Sequence, residues 1–117
     1  MADVTVYHNP RCSTSRAALE AAAASGVDVN VVAYLKTPLD EAALRDLLGR
    51  LEDAPTDLVR RDQNFKAAGL TDADVATPDQ VVEVLVAHPE LMQRPVLARG
   101  DRAIIGRPKG RVPAFLA

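Results

Sequence analysis

The sequence predicts an α/β domain built on a small mixed sheet, and three observations carry that reading. A short β-type run, a helix and a second apolar run open the chain. A block of helical patterns fills the middle. Two β-type runs joined by a polar turn, then a brief helix, close it. With 117 residues the chain favours one domain, 1–117, with one modest core.

Val4 to Tyr7 is β-type, and His8, Asn9 and Pro10 break it. Ser13, Thr14 and Ser15 offer N-cap oxygens for a helix that continues through an alanine-rich stretch to about Gly26. Val29 to Tyr34 reads as a second, mostly buried strand, which makes the opening a βαβ unit with a parallel pair. Ala43, Leu44, Leu47, Leu48 and Leu51 recur at helical spacing and predict an amphipathic helix over 41–52. Pro55 interrupts it; Asp57 to Arg61 and Phe65 to Leu70 read as short helical turns. Thr77 and Gln80 form a capping box with Pro78 at the first helical position, and His88 and Pro89 end that helix. Pro95 to Ala98 and Ala103 to Ile105 flank Gly100 and Asp101 as a β-hairpin. Pro108 to Leu116 reads as a brief terminal helix, weakened by Gly110 and Pro113.

Setting aside the helical block, about residues 38–90, leaves a β-α-β, β-β-α order. That is the thioredoxin arrangement, with a four-stranded mixed sheet and a helical insertion between the second and third strands. On pattern alone it is one α/β topology among several.

Composition narrows the function classes. Two Tyr, two Phe and no Trp leave aliphatic residues and alanine to fill the core. The balance of 14 basic and 16 acidic residues, net -2, gives no field for nucleic acid or anionic lipid. The start lacks the basic and apolar pattern of a secretory signal, and no run reaches the length of a membrane span. One cysteine forms no internal disulfide, which fits a reducing compartment. The expected location is cytoplasmic.

That cysteine, Cys12, has two readings: a buried small hydrophobe or a reactive thiol. Its position favours the second. It follows a proline-containing turn and immediately precedes a helix. Free amides and the dipole at a helix N-terminus stabilise an anion, and the thiolate is the nucleophilic form. His8, Arg11 and Arg16 are near in sequence and could add positive charge, or could be a turn residue and two solvated arginines.

Spacing removes several alternatives. A phosphatase-type loop needs arginine at position 18, which is Ala18. A dithiol pair needs cysteine at position 15, which is Ser15. Two histidines 80 positions apart and one cysteine form no metal-ligand cluster. No bound cofactor is expected. A lone thiol in redox chemistry needs a thiol from another molecule to complete its cycle.

Tyr7 through Arg16 (Tyr-His-Asn-Pro-Arg-Cys-Ser-Thr-Ser-Arg) resembles the signature of the glutaredoxin-dependent arsenate reductases. Leu58 to Arg61, Ala68 to Leu70, Leu85 to Pro89, Gln93 to Val96 and Ile105 to Pro108 resemble the family's later motifs, in the same order. The resemblance implies a thioredoxin-like fold and reduction of arsenate to arsenite through a covalent Cys12 thiol–arsenate adduct. Glutathione then attacks the adduct, glutaredoxin takes the glutathione, and arsenite leaves. It implies that Arg60, Arg94 and Arg107 hold the oxyanion, that His8 lowers the Cys12 pKa and that Ser15 supports the thiolate. It also implies a cis Arg94–Pro95 bond. Spx-type regulators, which bind RNA polymerase, share the overall pattern but typically carry a two-cysteine switch where this chain has Ser15. A general glutathione-linked thiol protein without arsenate activity is the remaining alternative.

Overall fold

The computed structural model describes residues 3–117. Four strands, β1 (Val4–His8), β2 (Val29–Ala33), β3 (Val96–Arg99) and β4 (Arg102–Ile105), form one sheet in the order β2-β1-β3-β4. β1 and β2 are parallel; β3 is antiparallel to both β1 and β4. Helix α1 (Ser13–Ser25) makes the crossover between the parallel pair, and α5 (Arg111–Leu116) follows β4. Between β2 and β3 lie α2 (Glu41–Arg50), α3 (Gln63–Ala67) and α4 (Pro78–Ala87), with 3-10 turns at Pro55–Leu58, Asp72–Val75 and Pro89–Leu91. This is the thioredoxin-like α/β fold with its helical insertion. No helix among the described residues is long and apolar enough to cross a membrane.

Strand alternation divides the core. Leu97 and Ile104 face α1 and α5, where they meet Val4, Val6, Ala18, Ala22, Val112 and Phe115. Their neighbours Val96, Ala98, Ala103 and Ile105 face the insertion, against Leu47, Leu58, Val81, Leu85 and Leu91. Successive strand side chains point to opposite sheet faces, so a four-residue strand can serve both layers. The alanines of α1 let that helix lie close to the sheet: Ala18 and Ala22 are buried.

Local chemistry explains the ends of the elements. Gly26 closes α1 in the left-handed region, at φ 76°, which suits a residue without Cβ. The Thr77–Gln80 capping box and Pro78 start α4 as the sequence predicts. Pro113 is tolerated in α5 because it sits in the first turn, where its missing N–H has no helical partner to lose.

Two expectations need correction. β2 is not mostly buried: Asn30 and Val31 are exposed, with Val31 at 48%. It is the edge strand, so one side lacks a neighbouring strand to cover it. The N-cap of α1 is Cys12 itself, and no side chain caps that helix.

Candidate active site

The loop between β1 and α1 is built by short polar contacts. The Asn9 carbonyl accepts from the Cys12 N–H at 3.0 Å, and Asn9 Oδ1 accepts from the Arg11 N–H at 2.9 Å. Ser15, fully buried in the first turn of α1, accepts the Asn9 N–H at 3.0 Å and lies 2.6 Å from His8 Nδ1. Burial holds the His8 imidazole below its usual pKa, with the Arg16 charge acting the same way and the Ser15 contact opposing both. The Ser15 hydroxyl thus takes the Asn9 N–H and shares a proton with His8 Nδ1, which satisfies it in its buried position.

This arrangement frees the helix N-terminus for the thiol. The expected hydroxyl caps do not form, because Ser15 turns back to His8 and Asn9. The Ser15 and Thr14 amides are instead left to favour the Cys12 thiolate. Cys12 is buried, at 8% exposure. Burial alone pushes its thiol up. The Ser15 amide, the Arg94 side chain, the Arg107 charge and the Thr14 amide together outweigh burial and leave the thiol below its ordinary pKa.

The positive charge comes from distant parts of the chain. Arg107 Nη2 donates to Cys12 Sγ at 3.2 Å, and its Nε donates to the Arg94 carbonyl at 2.7 Å. Arg94 also favours the Cys12 thiolate, and its buried Nε has no partner among the described residues. Arg60 arrives through a bridge between Leu58–Arg60 and Leu91–Gln93. The Arg60 N–H donates to the Leu91 carbonyl at 2.8 Å, and the Gln93 N–H to the Leu58 carbonyl at 2.7 Å.

The charges of Arg60 and Arg94 both act on Tyr34. Burial raises the Tyr34 phenol pKa, and both arginine charges oppose that rise, Arg94 more strongly. Arg60 is also 3.6 Å from Asp62. Arg61 turns away: it pairs with Asp72 at 3.2 Å, donates to the Val59 carbonyl at 2.6 Å and covers the Phe65 ring at 5.6 Å. Arg11 is exposed, and Arg16 donates to the Pro10 carbonyl at 2.8 Å. The structure thus joins Cys12, Arg107 and the Arg94 carbonyl by hydrogen bonds, with the Arg94 side chain acting on Cys12 and Tyr34 and Arg60 on Tyr34. His8 reaches the thiol only through Ser15. Among the described residues no group of His, Cys, Asp and Glu could hold a metal ion.

The ArsC family pattern matches residues 7–115, which include every one of these side chains. The chain belongs to the ArsC family. It is 40% identical over 111 residues to Escherichia coli K12 "Uncharacterized protein YfgD", covering 93% of this chain and 92% of that protein. It is 35% identical over 118 residues to an arsenate reductase of Neisseria meningitidis, covering 99% and 100% of the two chains. Among solved structures, an arsenate reductase from Vibrio cholerae superposes with TM-score 0.84 at 29% identity, over 95% of each chain.

In this ArsC-family chain the Arg94–Pro95 bond is cis, as the resemblance implies, and so is Arg107–Pro108. Sequence reasoning missed Tyr34, which it read only as the end of a strand. It also missed Asp53 and Arg111, whose partners lie 52 to 58 positions away for Asp53 and 4 to 58 for Arg111. No local pattern marks such pairs.

Proposed function

We propose that this protein reduces arsenate to arsenite, with Cys12 as nucleophile and glutathione and glutaredoxin as external reductants. The observation that carries the reading is the Cys12 sulfur at the start of α1, 3.2 Å from the Arg107 guanidinium, in an ArsC-family chain with a single cysteine. A thiolate and arsenate are both anions, so their approach requires nearby cations. Planar guanidinium groups meet both the charge and the tetrahedral oxygens. In this reading Arg60, Arg94 and Arg107 hold the oxyanion. Ser15 and the α1 amides hold the thiolate, and His8 fixes the Ser15 hydroxyl.

The reaction balances with two added thiols. The Cys12 thiolate forms a sulfur–arsenic bond, and one arsenate oxygen leaves as water with an added proton; arsenic stays pentavalent. Glutathione displaces a second oxygen as water. The glutaredoxin thiolate then attacks the glutathione sulfur. A disulfide forms between the two, and the sulfur–arsenic electron pair remains on arsenic, now trivalent. Water cleaves the last sulfur–arsenic bond, which returns the Cys12 thiol and releases arsenite. The chain needs no bound cofactor for this route, and the cytoplasm supplies the reduced thiols.

Purified protein with arsenate, glutathione, glutaredoxin and a glutathione-recycling system is expected to release arsenite. Omitting glutathione or glutaredoxin is expected to stop it. Turnover without glutaredoxin would overturn the reductant assignment.

A further inference from the structure

Arg107 donates a hydrogen bond to the Cys12 sulfur at 3.2 Å, so whatever fixes Arg107 bears on the thiol. It lies in the segment between β4 and α5, and its side chain also lines an open groove of about 430 Å³ with Asp53, Asp57 and Gln93. A guanidinium beside open space has other rotamers available to it, and which of them reaches the sulfur depends on where its backbone stands.

Two residues hold the backbone from Ile105 to Arg107. Arg111 Nη1 donates to the Arg107 carbonyl at 3.4 Å, to the Ile105 carbonyl at 2.9 Å and to Asp53 Oδ1 at 2.7 Å. The other Asp53 oxygen accepts the Ile105 N–H at 2.9 Å. Asp53 follows α2 in the insertion, and Arg111 is the first residue of α5. The pair therefore grips both ends of Ile105-Gly106-Arg107 from outside the strand. Its side chains are 17% and 33% exposed, so water only partly screens the contact.

We propose that Asp53 and Arg111 are positioning residues that fix the Arg107 backbone and so hold its guanidinium on the Cys12 sulfur. The proposal deepens the reading of Cys12 as nucleophile and rests on it. A purely structural tie between insertion and hairpin is the competing explanation, and a neighbouring pair provides the control. Arg102 and Glu52 join the same two regions at 2.6 and 3.3 Å, with no contact to Arg107.

The test reads Cys12 directly, since it is the only cysteine. The rate of alkylation by iodoacetamide is followed against pH in wild type, Arg111→Met, Arg111→Lys, Asp53→Asn and Arg102→Gln. Arg111→Met is expected to move the midpoint of the profile upward, each unit lowering the thiolate fraction at low pH about tenfold. Arg111→Lys keeps the charge and is expected to fall between. Arg102→Gln is expected to keep the wild-type midpoint, whatever it does to melting temperature. Asp53→Asn retains an oxygen for the Ile105 N–H, so it answers the question if Arg111→Met does not fold. Unchanged midpoints in both Asp53→Asn and the Arg111 variants would overturn the proposal. Because arsenate is absent from the assay, failure of arsenate turnover with these shifts intact would sink the proposed function and leave the positioning role standing.

Discussion

The Arg107 guanidinium bridges the Cys12 sulfur, at 3.2 Å, and the Arg94 carbonyl, at 2.7 Å. One side chain from the last loop thus ties the start of α1 to the segment that enters β3. The reactive atom and its cations come from three places in the chain, and the sheet order β2-β1-β3-β4 puts β1 beside β3 and β3 beside β4.

The Cys12 thiol sits below its ordinary pKa, so its charge stabilises the folded state. For a group whose folded pKa is depressed, the contribution is present in full above the unfolded pKa. It is lost as pH falls through the folded pKa. The difference in unfolding free energy between wild type and Cys12→Ser is expected to grow as pH rises from the folded midpoint toward the ordinary thiol value. Urea titrations at several pH values check this, and a flat difference would contradict it.

His8 is held below its usual pKa, chiefly by burial. The unfolded chain therefore takes up a proton at a pH where the folded chain does not. Stability is expected to fall as pH drops from 6.5 toward the lower folded value, then to level. His8→Asn is expected to lack that part of the acid slope. Equal slopes in the two proteins would show that His8 is not the group titrating.

Loss of one oxyanion donor is expected to lower kcat/KM for arsenate. A hydrogen bond to a charged group contributes about 1.5–3 kcal/mol, which corresponds to about tenfold to a hundredfold. Arg94→Ala and Arg107→Ala are expected to reach that range, because both also favour the thiolate. Arg61→Ala is expected to change stability rather than kcat/KM, since Arg61 serves Asp72, Val59 and Phe65.

Gly106 packs its backbone against Pro95. A Cβ there would stand 2.8 Å from Pro95 Cγ, 3.0 Å from Leu97 Cδ1 and 3.2 Å from Val112 Cγ2. Gly106→Ala is expected to cost about 1–3 kcal/mol as overpacking. It is also expected to slow Cys12 alkylation at neutral pH, because the next residue is Arg107. Denaturant unfolding and the alkylation rate read the two effects separately.

Elements with strong local signals are legible in the sequence. The alanine-rich α1 with Gly26, the capping box at Thr77 and the hairpin about Gly100 and Asp101 all form where their residues predict. Burial of β2 is not legible, because edge or centre is decided by which strands pair, and Val29 to Ala33 looks alike in both positions. The N-cap is misread for a related reason. Ser15 has the capping hydroxyl, but His8 and Asn9 claim it through tertiary contacts. At the site, Cys12 stands out from local context alone. Arg60, Arg94 and Arg107 come only from resemblance, since nothing in their neighbours separates them from the other arginines. Asp53 and Arg111 were invisible, because their meeting depends on how the insertion docks onto β4.

Cys12 as the nucleophile for arsenate is put to the test by measuring arsenite release by wild type beside Cys12→Ser. With glutathione, glutaredoxin and a recycling system present, wild type is expected to convert arsenate and Cys12→Ser to give only the protein-free rate. No conversion by wild type, or equal conversion by both proteins, would contradict it.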